Sequence, residues 1–148
     1  MATGTLPSWL PLANRVVRGM SRLGFAFGPQ ILTVPGRTSG KPRSTPVTPL
    51  VVDGRQYVVA ALQQGDWARN VRAAGHGDLA AGRRSRLVEL PEVTDPELRR
   101  SVMRAFPTEV PTGVSFFVRL GLVEKADPEQ FAGISDQVAV FEIKSHVS

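Results

Sequence analysis

Two short hairpin signals constrain this chain more than anything else in its sequence. Asp53-Gly54 separates the extended runs 44–52 and 55–62, and a turn at Gly82 separates 78–81 from 84–93. Aspartate followed by glycine accepts the positive φ that a tight turn between antiparallel strands needs. Parallel pairing instead requires a long crossover, so the spacing does not support repeated βαβ units. The prediction is an α+β chain: an antiparallel sheet or small barrel with peripheral helices. Its 148 residues suffice for one domain, 1–148, with a core of its own.

The remaining punctuation fills in this frame. Residues 30–34 read as a strand ended by Pro35-Gly36, and 36–43 read as a loop by composition. Pro46 and Pro49 interrupt 44–52; proline cannot donate to a ladder, so this run is expected at an edge or to be irregular there. Asp66 is expected to cap a short helix through Ala74, stopped by Gly75. Thr94-Asp95-Pro96-Glu97 reads as a capping box opening a helix to about Phe106. Residues 111–122 read as an apolar helix, Asp127-Pro128 as one more turn, and 137–144 as a last strand. Within 6–24, Leu6, Leu10, Ala13, Val17 and Met20 share one helical face, with Arg15, Arg18 and Arg22 opposite. Residues 1–29 therefore read as an N-terminal helical segment. Its apolar face is expected to dock on its own domain, with peripheral contact to an anionic membrane as the rival reading.

Composition excludes several chemistries. There is no cysteine, hence no disulfide, thiolate metal site or thiol nucleophile. The two histidines, His76 and His146, are far apart, which argues against a metal centre; His76 reads as an exposed turn residue. No apolar run is long enough to span a membrane and no charged start of a secretory signal is present, so a cytoplasmic protein is expected. Charge is uneven. Residues 1–86 hold 12 Lys/Arg and 3 Asp/Glu, a balance of +9, whereas 87–148 hold 6 and 10, a balance of −4. The first half thus reads either as an anion site or as a solvated basic surface.

The basic loop concentrates that question. Arg37, Thr38, Ser39, Lys41 and Arg43 lie within seven residues, flanked by Gly36 and Gly40. Cations, hydroxyls and free backbone amides suit a phosphate; a basic surface turn is the plainer alternative. The segment is no P-loop: three residues separate Gly36 from Gly40-Lys41 where that motif has four, and Pro42 stands at its magnesium-binding hydroxyl. Nucleic acid is disfavoured because no aromatic residue interleaves with the basic loop to stack on bases.

The run Ile31-Leu32-Thr33-Val34-Pro35-Gly36-Arg37-Thr38-Ser39-Gly40-Lys41-Pro42-Arg43-Ser44-Thr45-Pro46-Val47 resembles the signature of the deazaflavin-dependent nitroreductase family. A second block, Tyr57-Val58-Val59-Ala60-Ala61 followed by Trp67-Ala68-Arg69-Asn70-Val71-Arg72-Ala73-Ala74-Gly75, is similar to the family's strand–loop–helix segment. The resemblance implies an antiparallel split β-barrel like that of FMN-binding reductases. It also implies coenzyme F420, a deazaflavin with a phosphodiester and a glutamate tail. A hydride carrier brings its own electronics, which fits a chain in which no catalytic side chain and no metal ligand can be assigned.

By the same resemblance, Arg37, Ser39, Lys41 and Arg43 would hold the phosphate and tail, with Thr38 and Gly40 of the same loop also cofactor-binding, although many relatives carry a second basic residue where this chain has Thr38. Thr45 and Pro46 would line the path to the ring, and Ala60, Ala61 and Leu62 would face the deazaflavin. Gln63 and Gln64 sit in the following loop, and Trp67 and Asn70 begin the helix that closes the site. The implied activity is hydride transfer from reduced F420 to a small organic acceptor: a nitro compound, quinone or activated alkene. FMN or haem in the same barrel class, a non-catalytic deazaflavin or lipid carrier, and a homodimer are the other readings. Taken alone, Trp67 reads as a core anchor, Phe116 and Phe117 as core residues that would otherwise wall the substrate side, and Glu89, Glu92 and Glu97 as surface or capping residues. Arg83, Arg84 and Arg86 read as a solvated sheet edge or an extension of the anion patch.

Overall fold

The computed structural model describes residues 29–145. The expected helix over 6–24 and His146 lie outside them. Seven strands and four α-helices follow in the described chain: β1 (Gln30–Pro35), β2 (Pro42–Val47), β3 (Leu50–Val52), β4 (Arg55–Ala60), α1 (Asp66–Ala74), β5 (His76–Ala81), β6 (Arg84–Glu89), α2 (Pro96–Glu109), α3 (Val114–Arg119), α4 (Pro128–Gly133) and β7 (Ala139–Ser145). A 3-10 turn, Pro111–Gly113, joins α2 to α3.

Every strand pair is antiparallel, in the order β2-β1-β5-β6-β7-β4-β3. The order alone forces the sheet to curl. Its two end strands, β2 and β3, are joined by Thr48-Pro49 alone. Seven flat strands would put the ends about 29 Å apart, whereas that link reaches about 10 Å. The sheet therefore rolls into the expected split barrel, parted between β2 and β3.

The prolines act where the sequence placed them, and they divide the expected strand in two. Pro46 sits in end strand β2 opposite Ile31, and Thr48-Pro49 ends β2 before β3 starts. Asp53 (φ 52) and Gly54 (φ 78) both take the left-handed conformation that a two-residue hairpin turn requires. Arg84 and Arg86 lie in β6, which has neighbours on both sides rather than forming an end of the sheet. Arg86 Nη2 donates to Gln56 Oε1 at 2.8 Å.

Alternation sends side chains of β4 and β7 into two cores. Val58, Ala60, Ala139, Phe141 and Ile143 join Leu32, Val34, Leu79 and Val88 in one, closed by Ala68 and Val71 of α1. Tyr57 and Val140 face the other, packed by Val102, Met103, Phe106, Phe117 and Phe131 of the later helices. Burial raises the Tyr57 phenol above its ordinary range, with the Glu142 charge adding to the shift. Arg99 of α2 is buried against backbone: Nε and Nη2 donate to the Ser135 carbonyl, Nη1 to that of Val93, and Nη2 also to that of Val138.

Two expected caps are placed differently. Asp95, not Thr94, caps α2 by accepting from the Leu98 N–H at 3.0 Å, and the helix continues through Pro107 to Glu109. Asp66 is the first residue of α1 rather than its cap; Gly65 holds that position without a side-chain bond. Gly75, at φ 75, ends α1 as predicted. His76 is exposed but belongs to β5, with Nδ1 2.9 Å from the Ala74 carbonyl.

Candidate functional site

The loop between β1 and β2 is folded on itself. The Gly36 N–H donates to the Lys41 carbonyl at 2.8 Å and the Gly40 N–H to the Gly36 carbonyl at 2.9 Å. Ser39 Oγ accepts from the Lys41 N–H at 3.1 Å. A side chain on Gly36 would press on the Lys41 carbonyl and Ser39 Oγ, both 3.3 Å from the Cβ position. Space at Gly36 is tight, and at Gly40 the φ of +74 favours glycine.

Arg37 fastens this loop to α1. Its backbone N–H and Nη1 both donate to Asn70 Oδ1, at 3.1 and 2.8 Å. Nη1 also reaches the Asp66 carbonyl at 3.4 Å, and Nη2 lies 3.3 Å from Asp66 Oδ1. Asn70 is 6% exposed, so its amide is a fixed acceptor. On the far side of α1, Arg72 grips Glu92 with Nε and Nη2, at 2.8 and 3.0 Å, and Nη2 also reaches the Gln63 carbonyl at 3.3 Å. The Arg72 hydrogen bonds hold the Glu92 carboxyl below its ordinary range against the opposing effect of burial, and Glu92 raises Arg72 in turn.

Between loop and helix lies an open cleft of about 670 Å³. Gly36, Arg37, Thr38, Ser39, Arg43, Ser44 and Thr45 form one wall. Ala61, Leu62, Gly65, Asp66, Trp67 and Asn70 form the other, and Phe116 of α3 completes it. The hairpin side supplies cations and hydroxyls; Ala61, Leu62, Trp67 and Phe116 supply apolar surface. Trp67 does double duty, packing on the barrel core with its ring 6.1 Å from that of Phe141.

The structure thus brings together Arg37, Thr38, Ser39, Arg43, Thr45, Ala61, Leu62, Trp67 and Asn70 from the sequence expectation. The other six fall outside the cleft lining. Gly40 and Lys41 lead from the turn at 37–39 back into β2, with Lys41 exposed. Pro46 is exposed next to half-buried Thr45, on the opposite face of β2. Ala60 is buried in the barrel core. Gln63 turns its Nε2 to the Val138 and Asp136 carbonyls, at 3.2 and 3.4 Å. Gln64 is exposed.

Phe116 shows where the sequence was ambiguous. It is 46% exposed, whereas Phe117 is 3% exposed in the core packed by the later helices. Adjacent helical residues diverge by about 100°, so one of the pair had to face away from the core. Asp66 was missed as a lining residue because its partner lies 29 positions earlier.

The cleft of this split barrel sets a cationic, hydroxyl-rich wall against an apolar one, a lining whose polarity suits an anionic ligand with an apolar part. Residues 14–113 match the model of F420H(2)-dependent quinone reductases, and the chain belongs to that family. It is an F420-dependent oxidoreductase with coenzyme F420 as its cofactor. Dependence on F420, expected from the nitroreductase resemblance, is thereby shown; the family itself is the one named for quinone reduction.

Solved structures share the fold. An F420-H2 dependent reductase, FDR-A, is 17% identical with a TM-score of 0.52, covering 78% of this chain and 93% of its own. A protein solved as a domain-swapped dimer is 18% identical with a TM-score of 0.53, covering 78% and 79%. A Clostridium acetobutylicum protein of the pyridoxinephosphate oxidase family, related to general stress protein 26 of B. subtilis, is 8% identical with a TM-score of 0.54, covering 89% and 84%. A search of curated proteins found no match. Among the described residues, no helix is long and apolar enough to cross a membrane.

Proposed function

We propose that the cleft between the β1–β2 loop and α1 is the F420 site, and that the protein reduces a small organic acceptor there. The observation that carries this reading is the polarity of the lining. Arg37 and Arg43, with the hydroxyls of Thr38, Ser39, Ser44 and Thr45, would hold the phosphodiester and glutamate tail. Ala61, Leu62 and Trp67 would hold the ring. Lys41, exposed where the loop returns to β2, adds positive charge at longer range.

Reduced F420, when bound, supplies the hydride. The chain's own task is to bind, orient and exclude water. Asn70 fixes Arg37, Trp67 anchors the apolar side to the core, and Leu62 and Phe116 narrow the opening for an acceptor. The acceptor is a quinone, nitro compound or activated alkene, and the family's name puts quinones first.

Anaerobic mixing of the protein and reduced F420 with a panel of these acceptors tests the proposal. Protein-dependent loss of reduced F420 with one acceptor class is expected. Tight F420 binding without turnover on any class would mark a carrier instead.

A further inference from the structure

Asp66 is the one carboxylate lining the cleft among the described residues. Its Oδ1 lies 3.3 Å from Arg37 Nη2, yet the partners are unequally committed. The Arg37 side chain is 29% exposed and is held independently by Asn70 Oδ1 and the Asp66 carbonyl. The Asp66 side chain is 90% exposed and does not cap its own helix. A long ion pair to so exposed a carboxylate adds little to stability. It does occupy the guanidinium edge that an anionic ligand in this cleft would seek.

We propose that Asp66 is a built-in competitor for Arg37, which yields when a phosphate or carboxylate of the cofactor tail arrives and so sets affinity below what the cleft's cations permit. The inference rests on assigning the tail to this cleft. Its logic is electrostatic. Two anions sharing one guanidinium repel each other, and each weakens the other's hold. Because the carboxylate is solvated and its bond is long, displacing it costs little. An oxidised cofactor must be released or re-reduced by another hydride donor between turnovers, so an affinity held below its maximum favours turnover.

The test is titration of oxidised F420 into wild type, Asp66→Asn, Arg37→Ala and the double variant, followed by cofactor fluorescence. A deazaflavin with the ring and ribityl chain but no phosphate or glutamate is run in parallel. Asp66→Asn is expected to tighten F420 about two- to five-fold at low salt, with the gain shrinking as salt rises. The gain should vanish in the Arg37→Ala background, and the tail-less analogue should bind wild type and Asp66→Asn alike. Unchanged or weaker F420 binding by Asp66→Asn overturns the proposal, as does equal tightening of the tail-less analogue. If Arg37→Ala and Arg43→Ala both leave F420 affinity intact, the cleft assignment itself fails, a result separable from failure of the competitor.

Discussion

Asn70 Oδ1 accepts two hydrogen bonds from Arg37, one from its backbone N–H and one from its guanidinium. The 33-residue gap between them is bridged by a single amide oxygen that sets both where the basic loop sits and where its arginine points.

Replacing that amide should therefore affect binding more than folding. Asn70→Ala is expected to cost about 1–2 kcal/mol of stability, because the Arg37 N–H loses its partner. F420 affinity should fall by about ten-fold as the loop loosens. Fluorescence titration beside urea unfolding checks this; a stability loss with unchanged affinity would make Asn70 purely structural.

Arg43 gives a cleaner electrostatic probe, since it is exposed at the start of β2 and lines the cleft. Arg43→Ala should weaken F420 by about 1.5–3 kcal/mol, the scale of a hydrogen bond to a charged group. The melting temperature should barely move, and the binding difference should narrow as salt rises. Affinity equal to wild type at low salt would remove Arg43 from the site.

Arg99 should behave in the opposite way. Its buried guanidinium satisfies the carbonyls of Val93, Ser135 and Val138. Arg99→Ala leaves these acceptors without their donor and should cost about 3 kcal/mol or more. Arg99→Lys, with one ammonium in place of a fork, should recover part of that. Denaturant midpoints for the three proteins measure the series.

Acid should act through Arg72 and Glu92. The Glu92 carboxyl, ordinarily titrating near 4.5, is held lower in the folded chain by the Arg72 hydrogen bonds. A depressed folded value means the pairing contributes fully above the ordinary value and is lost as pH falls through the folded one. Glu92→Gln should cost about 0.5–1 kcal/mol at neutral pH, since both side chains are partly exposed and screened. Its stability should fall less steeply than wild type in acid. Parallel acid limbs in urea unfolding would show that the pair does not contribute this dependence.

Local signals were readable in the sequence because their causes are local. Asp53-Gly54 marked a turn whose two residues both carry positive φ, and Gly75 stopped α1. Proline placed 44–52 at the sheet's margin, although its splitting into β2 and β3 depends on the barrel closing around it. The basic loop was legible from its residue types. Its anchoring was not: Arg37–Asn70, Arg72–Glu92 and Gln63–Val138 each join positions at least 20 apart, and nothing in their spacing announces them. Asp66 was misread for the same reason. Aspartate before a helical run suggests a cap, and only the fold reveals the arginine beside it.

The pairing of β7 has a consequence for how the protein is made. It joins β6 through Lys144 and Ser145 and β4 through Ala139 to Ile143, linking the two parts of the sheet. Every other described strand leaves the ribosome first. Until β7 emerges, β4 is paired only with β3 and β6 only with β5, and the hydrophobic faces waiting on both sides stay open to water and to chaperones. Nascent chains halted before Ala139 should be handled by the cell as unfolded protein, however many of the cleft residues they already contain.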